Sequence, residues 1–95
     1  MIHTIIIEDD PMVAQINRQY IQQMKDFCVD AIFENGEDAL AYLRTNVVNL
    51  VFLDFFMPGI NGITLLRKMR AEKIKCAVII ITAACQFKKN AKSRK

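Results

Sequence analysis

Glu8, Asp9 and Asp10 stand side by side at the end of the apolar run TIII, and Asp54 closes a second apolar run, NLVFL. Thr82 follows a third, CAVIII. Grouped carboxylates repel one another and resist ionisation unless a cation joins them. A hard divalent cation such as Mg2+ suits them, because it takes oxygen ligands, uses one or two protein carboxylates, keeps several waters and shares phosphate oxygens. A carboxylate can also act as a nucleophile and become an acyl phosphate. Asp54, alone at the tip of its run, is the candidate nucleophile. Glu8 and Asp9 are the candidate metal holders, and the metal would offset charge on a transferring phosphoryl group. Thr82 offers a hydroxyl to a phosphate oxygen. Asp10 precedes Pro11 and reads first as a helix cap, with an indirect role in the site as the alternative.

The elements that must position these residues are legible in the patterning. Residues 3–7 (HTIII), 28–33 (CVDAIF), 49–53 (NLVFL) and 76–81 (CAVIII) read as strands, and the first is apolar on both faces, as in a parallel sheet covered by helices. Val13, Ile16, Tyr20, Ile21 and Met24 recur at helical spacing and predict a helix over 11–25. NGEDAL (35–40) opens a second helix, with Leu40 and Leu43 inward and Glu37 and Asp38 favouring its N-terminus. FFMPGING (55–62) is a loop. Residues 63–72 form a third helix, with Ile63, Leu66, Met69 and Leu65 on its apolar side. Alternation of this kind predicts an α/β fold, a parallel sheet with right-handed crossovers and helices on both faces. Ligands of such sheets bind outside the carboxyl ends of the strands. Glu8, Asp9, Asp10, Asp54 and Thr82 then share one rim.

Composition narrows the classes. The chain has 95 residues, 53% of them hydrophobic, which suits one small domain with a real core. No apolar run approaches the roughly 20 residues of a membrane span. The first run breaks at Glu8, so nothing resembles a signal peptide and a cytoplasmic location is expected. The net charge of +3 is uneven: Lys88, Lys89, Lys92, Arg94 and Lys95 crowd the last eight residues, and the remainder carries eight basic against ten acidic groups. Cys28, Cys76 and Cys85 lack metal-like spacing and read as reduced thiols, with a Cys76–Cys85 disulfide as the alternative. His3, the one histidine, reads as structural or solvated.

The segments IIIEDDPMVAQINRQYI, LVFLDFFMPGINGITLLRKMR and VIIITAA resemble the receiver domain of two-component response regulators. The most specific stretch is DFFMPGINGITLL, with Asp-x-x-Met-Pro-Gly-x-x-Gly after a buried strand. EDDPMVAQINRQYI looks most like the branch that answers citrate and C4-dicarboxylate sensor kinases. The resemblance implies a flavodoxin-like receiver fold and a cytoplasmic phosphorelay function that regulates transcription. It implies that Asp54 accepts a phosphoryl group from a sensor histidine kinase. Asp9 is then the direct Mg2+ ligand, Glu8 acts through water, and the backbone carbonyl of Phe56 is a further ligand beside Asp54. Met57 and Pro58 shape the loop, Gly62 lets the chain turn into the third helix, and Thr82 is the switch hydroxyl.

The departures set further expectations. The resemblance covers residues 1–84 as a partial receiver of four strands. No position matches the family's strand-five lysine, and neither Lys88 nor Lys89 is nominated for it. Residues 85–95 read as a basic tail unlike the family's fourth helix. DNA contact is expected only through an output domain beyond this sequence. Strand four is expected to form an exposed edge that favours self-association.

Three other functions compete. A non-phosphorylated interaction module would bind a kinase or other partner through the same surface. Nucleic-acid binding through the tail lacks a recognition helix and interleaved aromatics. An aspartate-nucleophile phosphohydrolase would need an Asp where Phe56 stands.

Overall fold

The structure, a computed structural model, describes residues 1–55 and 61–81. The expectations for Phe56, Met57, Pro58, Thr82, Cys85 and the stretch 85–95 concern residues outside that range. Four strands, β1 (Ile2–Ile7), β2 (Phe27–Phe33), β3 (Leu50–Asp54) and β4 (Ala77–Ile81), alternate with three helices, α1 (Pro11–Gln23), α2 (Gly36–Thr45) and α3 (Gly62–Ala71). The strands form one parallel sheet in the order β2-β1-β3-β4. Among the described residues the predicted α/β architecture, a four-stranded parallel sheet with helices on both faces, is what is observed.

β1 explains why the sheet is parallel and covered on both faces. Ile5, Ile6 and Ile7 are all fully buried. Ile5 and Ile7 pack with Leu40 and Leu43 of α2 and Leu65 and Met69 of α3. Ile6 points the other way, to Ala14 and Ile21 of α1. Burial of each such side chain is worth about 1.5–3 kcal/mol. β2 carries one extra residue against β1: Thr4 pairs with Val29, but Ile5 pairs with Ala31. Asp30 is that extra residue. The bulge moves β2 from one face to the other, so Val29 packs on the α1 side and Ala31 on the α2–α3 side.

Each helix starts at a capping side chain. Asp10, Asn35 and Asn61 accept backbone N–H groups at the N-termini of α1, α2 and α3. The inward face of α2 is as expected, with Leu40 and Leu43 buried.

The helices α1 and α3 bury only part of the apolar sets read from the sequence. In α1 only Ala14 and Ile21 are buried, whereas Ile16, Tyr20 and Met24 are exposed. The sequence holds two apolar stripes on this helix. The one with small Ala14 lets the helix approach Val29, Ile32 and Phe52 closely. The larger stripe, Met12, Ile16, Tyr20 and Met24 at four-residue spacing, faces out. In α3 Leu65 and Met69 of the expected apolar side are buried along with Gly62, Leu66 is half-buried and Ile63 is 37% exposed. Leu65 and Met69 pack into the core with Ile5, Ile7 and Leu53, and the N–H of Gly62 donates to the Phe55 carbonyl at 3.2 Å where the helix starts.

Candidate functional site

The acidic rim is built by register. Ile7 of β1 pairs with Leu53 of β3, so the next residue of each strand, Glu8 and Asp54, emerges side by side. From β1 the chain crosses to β2 on one side, and from β2 it crosses back to β3 on the other. That reversal opens a crevice at the carboxyl ends of β1 and β3. Glu8 and Asp54 are buried there, 1% and 0% exposed, and Asp9 is half-buried. One carboxylate oxygen from each of Glu8, Asp9 and Asp54 lies within 4.8 Å of the others.

The backbone around the cluster is fixed. The N–H of Glu8 donates to the Phe33 carbonyl at 2.9 Å, and Glu8 Oε2 accepts the N–H of Asp10 at 3.0 Å. This turn aims Asp10 along α1 instead of at the cluster. Asp10 Oδ1 accepts from the Met12 N–H at 2.9 Å and the Val13 N–H at 3.4 Å. The Asp10 side chain is therefore the helix cap, and its contact with the cluster runs through its backbone N–H to Glu8.

Gly62 closes the site from the α3 side. A Cβ at this position would lie 3.3 Å from Phe55 Cα and 3.4 Å from the Asp54 carbonyl oxygen. The lack of a side chain lets α3 begin directly against the tip of β3. An all-oxygen donor set of this kind fits a hard divalent cation better than a soft one. Phe56 and Thr82, the other expected site residues, lie outside the described residues.

The structure also gathers a group that sequence reasoning missed. His3, Cys28 and Asp30 bring one nitrogen, one sulfur and one oxygen within 4.8 Å of one another, near the other end of β1. Cys28 and Cys76 are both free thiols. The signal was present but needed register: His3 is the second residue of β1, and Cys28 and Asp30 sit two apart in the neighbouring strand. Among the described residues no helix is long and apolar enough to cross a membrane.

Comparison with known proteins agrees with this geometry. The family model described as response regulator receiver domain matches residues 4–94. The transcriptional regulatory protein MalR of Bacillus subtilis (strain 168) is 40% identical over 87 residues, which is 92% of this chain and 37% of MalR. The probable C4-dicarboxylate response regulator DctR of Priestia megaterium is 40% identical over 80 residues, 84% of this chain and 35% of DctR. The chain thus spans a little over a third of the length of these curated relatives. Among solved structures, the MaeR response regulator bound to beryllium trifluoride superposes with a TM-score of 0.77 at 39% identity, covering 87% of this chain and 68% of that one. TrrA in complex with the histidine kinase ThkA gives 0.76 at 29% identity, covering 87% and 70%.

Proposed function

This chain belongs to the response regulator receiver domain family, and on that premise we propose that it accepts a phosphoryl group on Asp54 from a sensor histidine kinase. The observation that carries the proposal is the convergence of Glu8, Asp9 and Asp54 at the ends of adjacent strands. In the transfer, a carboxylate oxygen of Asp54 attacks the phosphorus of a phosphohistidine. The new bond is P–O, the bond broken is P–N, and the imidazole leaves to take up a proton. The protein stays a phosphoryl acceptor and is not a conventional enzyme, apart from its own phosphotransfer and dephosphorylation.

Glu8, Asp9 and Asp54, with the backbone carbonyl of Phe56, would hold Mg2+. Bound there, the ion supplies charge neutralisation for a phosphoryl group. The chain's own residues do the rest. β3 presents the buried Asp54 beside the buried Glu8, and Asp9 is half-buried. The hydroxyl of Thr82 answers the new phosphoryl group. The relatives are named as transcriptional regulators, which favours transcription as the eventual output, delivered through segments beyond this receiver in a cytoplasmic phosphorelay.

A surface suited to the kinase adjoins the site. α1 starts right after Asp10 and turns Met12, Ile16, Tyr20 and Met24 outward. An apolar stripe of this kind on a surface helix favours a partner helix. The same stripe supports the second reading, a phosphate-independent interaction module.

The deciding experiment treats the chain with a small phosphodonor and Mg2+ and follows its mass. One phosphoryl adduct that is lost in Asp54→Asn supports the proposal. An unchanged mass, together with partner binding that survives Asp54→Ala, favours the interaction module.

A further inference from the structure

Near the amino end of β1, about 17 Å along the strand from Glu8 at 3.3 Å per residue, three different donor types meet. Cys28 Sγ lies 3.4 Å from His3 Nδ1 and 3.4 Å from Asp30 Oδ1, and His3 Nδ1 lies 3.2 Å from Asp30 Oδ1. Zinc binds sulfur at about 2.3 Å and nitrogen or oxygen at about 2.0–2.2 Å; at tetrahedral angles those lengths set neighbouring ligand atoms about 3.3–3.6 Å apart. The triangle in this protein already has nearly those edges. We propose that His3 Nδ1, Cys28 Sγ and an Asp30 carboxylate oxygen form a binding site for a borderline-soft divalent metal ion such as Zn2+, with water in the fourth position.

The backbone holds the three donors in place before any metal arrives. His3 pairs with Cys28 across the β1–β2 ladder, so their side chains rise from adjacent positions. Asn49 grips His3 from the other side: its Oδ1 accepts the His3 N–H at 2.8 Å, and its N–H donates to the His3 carbonyl at 2.8 Å. Asp30 is the extra residue of the β2 bulge, a feature that re-aims side chains. Its other carboxylate oxygen sits 2.9 Å from His3 Nδ1. The His3 and Asp30 side chains are 49% and 26% exposed, which leaves room for a water ligand.

The chemistry of the exchange is simple. The Cys28 S–H bond breaks as the S–metal bond forms, and the proton goes to solvent. The His3–Asp30 hydrogen bond gives way to two metal bonds. One sulfur and one imidazole nitrogen select a softer ion than the all-oxygen cluster at the other pole. The two ends of β1 thereby favour different cations. Bound metal would tie the start of β1 to β2, and it would stabilise the folded chain by mass action.

The test uses the purified chain with Mg2+ in excess, so that the acidic cluster does not compete. Co2+ is added as a spectroscopic probe. One equivalent should give thiolate-to-cobalt charge-transfer absorption with the intense visible bands of a tetrahedral site, and Zn2+ should displace it. Cys28→Ser should abolish the absorption, and His3→Gln and Asp30→Asn should each weaken binding by about tenfold or more. No charge-transfer absorption, or absorption that survives Cys28→Ser, overturns the proposal. A second measurement needs no variant: alkylation of the unmutated chain, mapped by mass spectrometry, should slow at Cys28 when Zn2+ is present. Equal alkylation with and without Zn2+ would also overturn it.

Discussion

Glu8 and Asp54 lie forty-six positions apart in the sequence, yet they are neighbours because β1 and β3 pair in parallel with Ile7 opposite Leu53. Both are essentially buried, and Asp9 completes the cluster. A parallel pair between the crossovers is thus what turns two separated acidic signals into one site. Its stability and its metal affinity are therefore linked through the same charges.

Removing one of the three charges should have opposite effects with and without metal. Two unit charges about 4 Å apart interact by roughly 1–4 kcal/mol in the range from water to a protein surface. Without Mg2+, Asp54→Asn should stabilise the fold by about 1 kcal/mol, a rise of about 4–8 °C in Tm for a domain of this size. With saturating Mg2+ the order should reverse. Asp9→Asn should raise the Kd for Mg2+ by roughly tenfold or more, read by thermal shift or titration calorimetry.

Asp10 should behave as a cap and nothing more. Asp10→Ala should cost about 1 kcal/mol in chemical denaturation, from loss of the bonds to the Met12 and Val13 N–H groups. Asp10→Ser should recover most of that loss. Both variants should keep Mg2+ affinity within about twofold of the parent, since a change of 1.4 kcal/mol would be needed for tenfold.

Gly62→Ala tests the close approach of α3 to β3. Alanine at the first helical position would ordinarily gain up to about 1 kcal/mol. Here its Cβ would meet Phe55 Cα at 3.3 Å and the Asp54 carbonyl oxygen at 3.4 Å. These are backbone atoms of the strand tip, so they yield only by moving Asp54. A net loss of about 1 kcal/mol is expected, with weaker Mg2+ binding alongside. A gain in stability with unchanged Mg2+ binding would show that the approach is slack.

The Arg44–Glu72 pair gives a pH signature remote from the site. Arg44 Nε and Nη2 donate to the two Glu72 oxygens at 2.7 and 2.8 Å, joining the end of α2 to the cap of α3. The hydrogen bond from Arg44 holds the Glu72 carboxyl below its ordinary value. Its contribution is then fully present above the unfolded glutamate pKa, about 4.3, and is lost as pH falls through the lower folded value. The stability gap between the parent and Glu72→Gln should be constant near neutral pH and close in acid. The pair is solvent-exposed, so the gap should be small.

Much of this was legible from sequence because the signals were local. The β-branched runs, the cap at Asp10, the helix opening at NGEDAL and the carboxylates at strand ends each declare themselves within a few residues. Two things were not local. The phase of α1 depended on which of two apolar stripes could approach the sheet, and small Ala14 decided it over Ile16 and Tyr20. The meeting of His3, Cys28 and Asp30 depended on the β1–β2 register and on a bulge that no residue pattern announces.

The last expectation concerns β4, which pairs with β3 and lies at the sheet edge among the described residues. On the α1 side of the sheet, Ile6, Phe52 and Ile79 form a row across β1, β3 and β4. Exposure rises along it, from fully buried Ile6 through half-buried Phe52 to Ile79 at 47%. Among the described residues α1 is the helix on that face, and it packs against β2, β1 and Phe52. An apolar edge strand with a half-exposed Ile79 invites pairing with a second copy. Light scattering should therefore report concentration-dependent association, and Ile79→Lys should suppress it by placing a charge on the edge strand. A chain that stays monomeric across the whole concentration range, with or without this substitution, would refute edge pairing.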